Sequence, residues 1–354
     1  MKKTILLAIT CMLVLASCDD KDEPGQNTLP NTPITYPFAN DPVSIYVSFI
    51  ENNQDFIYDL NGELIYQAEP GKRITYLTAD GQNWYAVYEN SVLKNGEPLY
   101  STDNEIKGLA VYHDDLYTLE AEPFYYFDPY EPPEHIGDKW SINKNGSILY
   151  VLDKYIFPES YYNLRIHPKA TGQPDAVVDS YTGFGKFPWV NGQQFSLPDV
   201  DHQDFLCFDV CDNQPLMCYW DYSLQTKYWF NGKETSIDSV FPIQASIYDG
   251  KPYIIGKTTE LGGIAKNPIL IADGQETILK NPVNPNKLTC AESMLRHGEN
   301  LYVLCTGYHY SIIFKNNMPI IPTGSSNDGT TEDNNSISNH YYRGFIVVDK
   351  PSSN

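Results

Sequence analysis

The stretch KYWFNGKETS, Lys227–Ser236, runs three large aromatic side chains into Asn231-Gly232 and on into a short polar segment. Asn-Gly between strand-like runs specifies a tight two-residue hairpin, because both turn residues must accept positive φ. The same signal follows hydrophobic runs at Asn61-Gly62, Asn95-Gly96, Asn145-Gly146, Asn191-Gly192, Asp273-Gly274 and Asn316-Asn317. Successive markers lie 34, 50, 46, 40, 42 and 43 residues apart, about 42 on average. That is the period of a four-stranded propeller blade. Helix-pair solenoids share it, but Tyr, Val and Ile richness, 25 prolines and the lack of long helical periodicity exclude them.

A second turn precedes the later markers. Asp80-Gly81, Asp114-Asp115, Asp212-Asn213, Asp249-Gly250 and His297-Gly298 fit one slot, with Thr171-Gly172 a weaker match. Each unit therefore reads strand a, turn, strand b, variable loop, strand c, Asn-Gly turn, strand d. The first unit has only Val43–Phe49 and Phe56–Leu60 before Asn61, which leaves no room for strand a. Arg343–Asp349 matches the strand-a pattern of Lys107–His113, with Gly in the same place. Donating this last strand to the first blade closes the ring and removes exposed sheet edges. The expected fold is all-β, a β-propeller of seven four-stranded blades; irregularity in unit four leaves six or eight open. Two packed β-sandwiches would use the same hairpins, and the complementary chain ends argue against them.

The chain opens MKKTILLAITCMLVLASC, with Lys2 and Lys3 ahead of an apolar run too short to span a bilayer. Leu15-Ala16-Ser17-Cys18 resembles the bacterial lipobox. That resemblance implies cleavage before Cys18, lipidation of its sulfur and amine, and attachment to a membrane by buried acyl methylenes. The following DDKDEPGQNTLPNTP reads as a flexible tether. Its acidic start is similar to the export signal of Bacteroidota-type lipoproteins, which implies the outer face of the outer membrane. In enteric bacteria an Asp after the Cys instead implies inner-membrane retention and a periplasm-facing protein. The domain plan is a signal peptide at 1–17, a tether at 18–42, the propeller at 43–349 with a polar connector at 323–338, and a tail at 350–354. Without Lys2 and Lys3, 22 basic residues face 45 acidic ones, a net of −23. Such a surface repels polyphosphate backbones, so nucleic acid is excluded as a partner.

In a propeller, a–b and c–d turns share one end and b–c and d–a connections the other. Variable loops on a rigid scaffold carry binding, which points to the b–c end. Its longest loop is read as Glu120–Lys139, EAEPFYYFDPYEPPEHIGDK, which holds Tyr125, Tyr126, Phe127 and Tyr130. These rings suit stacking on a sugar face or a peptide; stapling the loop to its own blade is the structural alternative. Tyr161, Tyr162, Tyr222, Tyr308 and Tyr310 fall on the same end. A d–a connection there carries Asp199, Asp201, His202 and Asp204, which could bind a cation or do acid–base work; turn capping is the bland reading. The sequence calls for no cofactor. Asn327, Asp328 and Asp333 offer oxygen donors for a structural calcium ion within a stretch that otherwise reads as polar low complexity.

Five cysteines remain beyond Cys11 and Cys18. The turns set Cys207 opposite Cys218 and Cys290 opposite Cys305, as buried thiols or as strained cross-strand disulfides. No zinc Cys-x-x-Cys, His-Glu-x-x-His, Gly-x-Ser-x-Gly or phosphate-cradling Gly loop is present. The aromatic-x-Asn-Gly repeats resemble those of propeller-type surface lipoproteins over most of residues 43–349. The leading expectation is a non-catalytic outer-membrane surface lipoprotein that binds a ligand or partner, a glycan among the candidates. A polysaccharide-acting propeller hydrolase or lyase, and a scaffold of an outer-membrane complex, are the alternatives. KYWFNGKETS itself reads as a c–d hairpin whose rings pack between blades.

Overall fold

The computed structural model describes residues 34–36, 42–126, 134–152, 161–169, 172–182, 185–196, 204–237, 239–259, 267–280, 288–307, 310–322 and 342–351. The chain begins with a short strand, β1 (Ile34–Tyr36), and continues into blade 1 with β2 (Val43–Glu51), β3 (Gln54–Asp59) and β4 (Leu64–Gln67). Blade 2 is β5 (Ile74–Asp80), β6 (Asn83–Tyr88), β7 (Ser91–Lys94) and β8 (Glu97–Ser101). Blade 3 is β9 (Glu105–Tyr112), β10 (Asp115–Tyr126), β11 (Glu134–Lys144) and β12 (Ser147–Val151). Blade 4 is β13 (Tyr161–His167), β14 (Asp175–Thr182), β15 (Gly185–Val190) and β16 (Gln193–Gln194). Blade 5 is β17 (Asp204–Cys211), β18 (Gln214–Trp220), β19 (Thr226–Phe230) and β20 (Lys233–Ser236). Blade 6 is β21 (Val240–Tyr248), β22 (Lys251–Thr258), β23 (Pro268–Ala272) and β24 (Gln275–Ile278). Blade 7 is β25 (Leu288–His297), β26 (Asn300–Gly307), β27 (Tyr310–Lys315) and β28 (Met318–Pro322). The last strand, β29 (Gly344–Asp349), pairs antiparallel with β2 as strand a of blade 1. The result is a seven-bladed β-propeller closed by its C-terminal strand.

Repetition of Asn in the c–d turns has a backbone cause. Asn95, Asn145, Asn191 and Asn316 all sit at φ near +50°, and the glycines after the first three are also positive. Each Asn Oδ1 accepts from the second amide of strand b: Trp84, Leu116, Ala176 and Leu301, at 2.8–3.0 Å. Its own amide donates to that residue's carbonyl. Its Nδ2 donates to the first side chain of the strand, Asn83, Asp115, Asp175 or Asn300. The turn thus adds one more rung to the b–c ladder and leaves no end group unmade. Blades 5 and 6 have Pro215 and Pro252 at the second position, where no N–H exists to cap. In blade 6 the turn residue is accordingly Asp273, which pairs with Lys251 at 3.0 Å. Asn61-Gly62 differs, lying in the longer loop Leu60–Glu63 with only Gly62 at positive φ.

Every blade–blade junction holds one apolar cluster, so the inner strands are buried on both faces. Blade 2 shows the principle: Trp84 and Ala86 pack toward blade 1, while Tyr85 and Val87 pack toward blade 3. In KYWFNGKETS, Tyr228 and Phe230 enter the junction of blades 5 and 6, and Trp229 packs at that of blades 4 and 5. Its aromatics are core, as expected. Burial of each such side chain contributes on the order of 1.5–3 kcal/mol.

Three expectations need correction. The segment 120–139 is mostly strand: β10 has 12 residues and β11 has 11, and they pair from Tyr117↔Lys144 out to Tyr126↔Glu134. Second, β1 falls inside the stretch read as a tether and adds to β28 as a parallel fifth strand. The Tyr36 hydroxyl donates to Asp59 Oδ2 at 2.6 Å and accepts from the Ile45 amide at 3.1 Å, lacing blade 7 to blade 1. Third, bulges in β25 shift its register, so Cys305 opposes Ala291 and Cys290 opposes Thr306. Cys207 does oppose Cys218. None of Cys207, Cys211, Cys218, Cys290 and Cys305 forms a disulfide.

Candidate functional site

Two regions stand out, one at each end of the ring. At the b–c end, β10 stays paired with β9 only as far as Ala121↔Glu105, while its pairing with β11 continues to Tyr126. Beyond Ala121, among the described residues, β10 pairs with β11 alone, as a two-stranded ribbon. Its base is fixed by Glu120, which is 1% exposed. Glu120 accepts hydrogen bonds from Thr118 Oγ1 (2.7 Å), Tyr100 Oη (2.8 Å), Thr102 Oγ1 (3.0 Å) and Asn104 Nδ2 (3.2 Å). Tyr100, Thr102 and Asn104 belong to blade 2 and its exit, so one carboxylate ties the ribbon's root to the neighbouring blade. Burial pushes Glu120 up, but the donors outweigh it and hold the carboxyl below its usual value.

Eight large hydrophobic side chains are exposed among the described residues, and they divide cleanly. Leu64, Leu99, Ile148 and Val151 lie on outermost strands. Phe124 (42%), Tyr125 (43%), Tyr222 (70%) and Leu224 (67%) lie at the b–c end. The first two are on the ribbon; the others are in the b–c loop of blade 5, whose Asp221 Oδ1 accepts from the Ser223 and Gln225 amides. Tyr125 and Tyr222 thus share an end but stand on blades 3 and 5, with blade 4 between them.

The remaining expected residues fall mostly outside the description. Tyr126 ends β10, and Tyr310 and Asp204 begin β27 and β17; their side chains lie outside the described set. Cys18, Phe127, Tyr130, Asp199, Asp201, His202, Tyr308 and the connector acids Asp328 and Asp333 are outside the described residues. Among the described residues, no three His, Cys, Asp or Glu side chains are grouped to hold a metal ion.

At the other end, the a strands enclose an axial cavity of about 700 Å³. Its lining comes from the C-terminal halves of strands a and from a–b turn residues such as Asp249 and Gly298. Behind the wall sits Asp209, with no solvent exposure. Asp209 Oδ1 lies 2.8 Å from His167 Nε2 and 3.1 Å from Arg165 Nε, and Oδ2 accepts from the Ile247 amide at 2.9 Å. Arg165 also donates to the carbonyls of Phe208 and, at 3.3 Å, Ala245. Blades 4, 5 and 6 are therefore cross-braced through one carboxylate. Burial would lower His167 and raise Asp209. Asp209 instead holds His167 up at about 9, and Arg165 with His167 holds Asp209 below its usual value.

Sequence reasoning missed this triad. The signal was present as alternation: Leu-Arg-Ile-His places Arg165 and His167 on one strand face, and Cys-Phe-Asp-Val-Cys places Asp209 among buried positions. What the sequence lacks is the pairing of two strands 42 residues apart.

No protein-family model matches the chain, and no curated protein does. Solved structures do resemble it. The computationally designed Ika8 protein is 11% identical with a TM-score of 0.44, covering 78% of this chain and 85% of its own. The WD40 β-propeller domain of Doa1 is 10% identical with a TM-score of 0.44, covering 76% and 88%. Apo AztD from Citrobacter koseri is 10% identical with a TM-score of 0.38, covering 87% and 99%. The fold assignment rests on the strand pairing of this chain itself, and no ligand or activity passes to it from these structures.

Proposed function

We propose that this chain is a non-catalytic binding propeller, anchored to the outer membrane through lipidated Cys18 and exposed at the cell surface. Its b–c end takes a ligand or partner, and a glycan is the class its rings suit first. One observation carries the reading: the β10–β11 ribbon extends beyond its pairing with β9 and carries Phe124 and Tyr125, which are 42% and 43% exposed. A two-stranded ribbon is marginal in isolation, and exposed aromatic rings on it gain most when a flat apolar surface covers them. The buried Glu120 at its root limits the ordering lost on binding.

Screening the lipid-free chain on glycan and peptide arrays tests the site, with Tyr125→Ala and Tyr222→Ala as comparisons. Selective glycan binding that falls on either substitution is the expected result. Binding indifferent to both, or none at all, removes the b–c end from consideration. Metabolic labelling with a fatty acid, lost on Cys18→Ala, together with protease accessibility on intact cells, tests the anchor and its face.

A further inference from the structure

We infer that the axial cavity at the a–b turn end is a second site, which binds a small anion bearing carboxylate or phosphate groups. The cavity's volume is that of a small-molecule pocket. Arg165 and protonated His167 share the single carboxylate of Asp209, which leaves one positive charge in excess at the wall of a chain whose net charge is −21. Arg165 and His167 on β13 line it from one side, and Arg296 and His297 on β25, three blades away, line it from across the axis.

Their carboxylate partners do not fill the cavity. Asp209 lies behind the wall and is not among the lining residues. Asp249 pairs with Arg296 at 2.5 Å but is 73% exposed at the rim, and Asp349, 2.8 Å from His297, is 40% exposed and outside the lining. Arg165 and His167 are among the lining residues while Asp209 is not, and Asp249, which does line the cavity, sits at its mouth. Apolar neighbours such as Leu77, Leu109 and Phe345 keep the local dielectric low, which strengthens attraction to an anion.

Arg165 is also held ready. Its bonds to Phe208 and Ala245 fix the guanidinium before any ligand arrives. Its Nε is buried beside Asp209, so a ligand would be met by the second N–H of each terminal nitrogen. A guanidinium so placed binds oxyanions with little further ordering.

Isothermal titration of the purified full-length chain tests this, with citrate and inorganic phosphate as probes and glucose as the uncharged comparison. We expect citrate, phosphate or both to bind, with affinity falling as salt rises, and the pair of probes tells a carboxylate ligand from a phosphate one. Arg296→Gln, at the rim, should weaken binding about tenfold without moving the urea midpoint, and Arg165→Met should abolish it. Tyr125→Ala at the opposite end should leave it unchanged, which separates this site from the ribbon. No heat with either anion up to about 10 mM, equal binding of glucose, or full affinity in Arg296→Gln overturns the proposal. Arg296→Gln decides the matter even where Arg165→Met does not fold.

Discussion

Glu120 and Asp209 are both buried carboxylates on inner strands, and each ties its blade to a neighbour. They are neutralised in different ways. Glu120, at the root of the ribbon, is surrounded by neutral donors: two threonines, a tyrosine and two asparagines, Asn104 and Asn143. Asp209, behind the axial cavity, faces two cations and one backbone amide. A carboxylate held by neutral donors strands no opposite charge if it is lost. One held between an arginine and an imidazolium leaves both without compensation. The ribbon's root is therefore a positional lock, and the channel brace is a charged one.

The sharpest way to break the comparison is to remove each acid. Asp209→Ala leaves Arg165 and His167 buried and unpaired, so urea denaturation should show a loss of about 3–5 kcal/mol. A loss below about 1 kcal/mol would mean that water already shares the brace.

Alkaline pH attacks the brace alone. The folded-state pKa of His167 is raised to about 9 from 6.5. Its contribution is complete below the unfolded value and is lost as pH rises through about 9. Glu120 and Asp209 are lowered, so their contributions are present above their unfolded values and vanish as pH falls through the folded ones. Urea midpoints of the wild type should therefore decline between pH 6.5 and 9, and His167→Gln should flatten that decline. Glu120→Gln should not. Equal slopes in all three proteins would remove the distinction.

Glu120→Gln itself should cost about 1–3 kcal/mol. The threonine and tyrosine hydroxyls can rotate to accept from the new amide, but Asn104 Nδ2 cannot. Limited proteolysis within 122–139 should rise in parallel if the ribbon's root is what Glu120 holds.

The smallest contrast lies in the turns. Asn145→Ala loses the cap on Leu116 and should cost about 1 kcal/mol more than Asn231→Ala, because Pro215 offers Asn231 no amide to cap. Both variants carry the same penalty for alanine at positive φ, so the difference in their thermal midpoints reports the hydrogen bonds of the Asn145 side chain, to the Leu116 amide and to Asp115.

These details show where a sequence speaks and where it does not. The blades were legible because each c–d turn needs positive φ within two adjacent residues, a demand satisfied locally by Asn145-Gly146 and its relatives. Ring closure was legible too, since strand a of blade 1 repeats the pattern of another strand a. The ribbon was not. Pro123 and the run from Phe124 to Tyr126 break alternation and read as loop, yet β11 supplies the partners that keep them extended. The three residues of β1 carry no signal of their own, because Ile34 pairs with Ile320 and strands that short are defined by their partners. The bulge opposite Cys305 is likewise a property of two strands together. Of the expected site, Tyr125 and Tyr222 are exposed at the b–c end as read from the repeats, while the arginines and histidines around the axis depend on seven strands meeting and have no local signature.

The lacing of β1 has a mechanical consequence. On a lipid-anchored protein, any tug from the membrane reaches the fold through the chain that precedes Ile34. Among the described residues, the first bonds to bear that load are the three β1–β28 pairs and the two hydrogen bonds of Tyr36. The antiparallel β29–β2 seam, on which closure of the ring depends, lies further along the chain and is shielded. With the anchor proposed at Cys18, a pull from the membrane would strip β1 before it opened the propeller, which would make the strand a strain relief between anchor and domain.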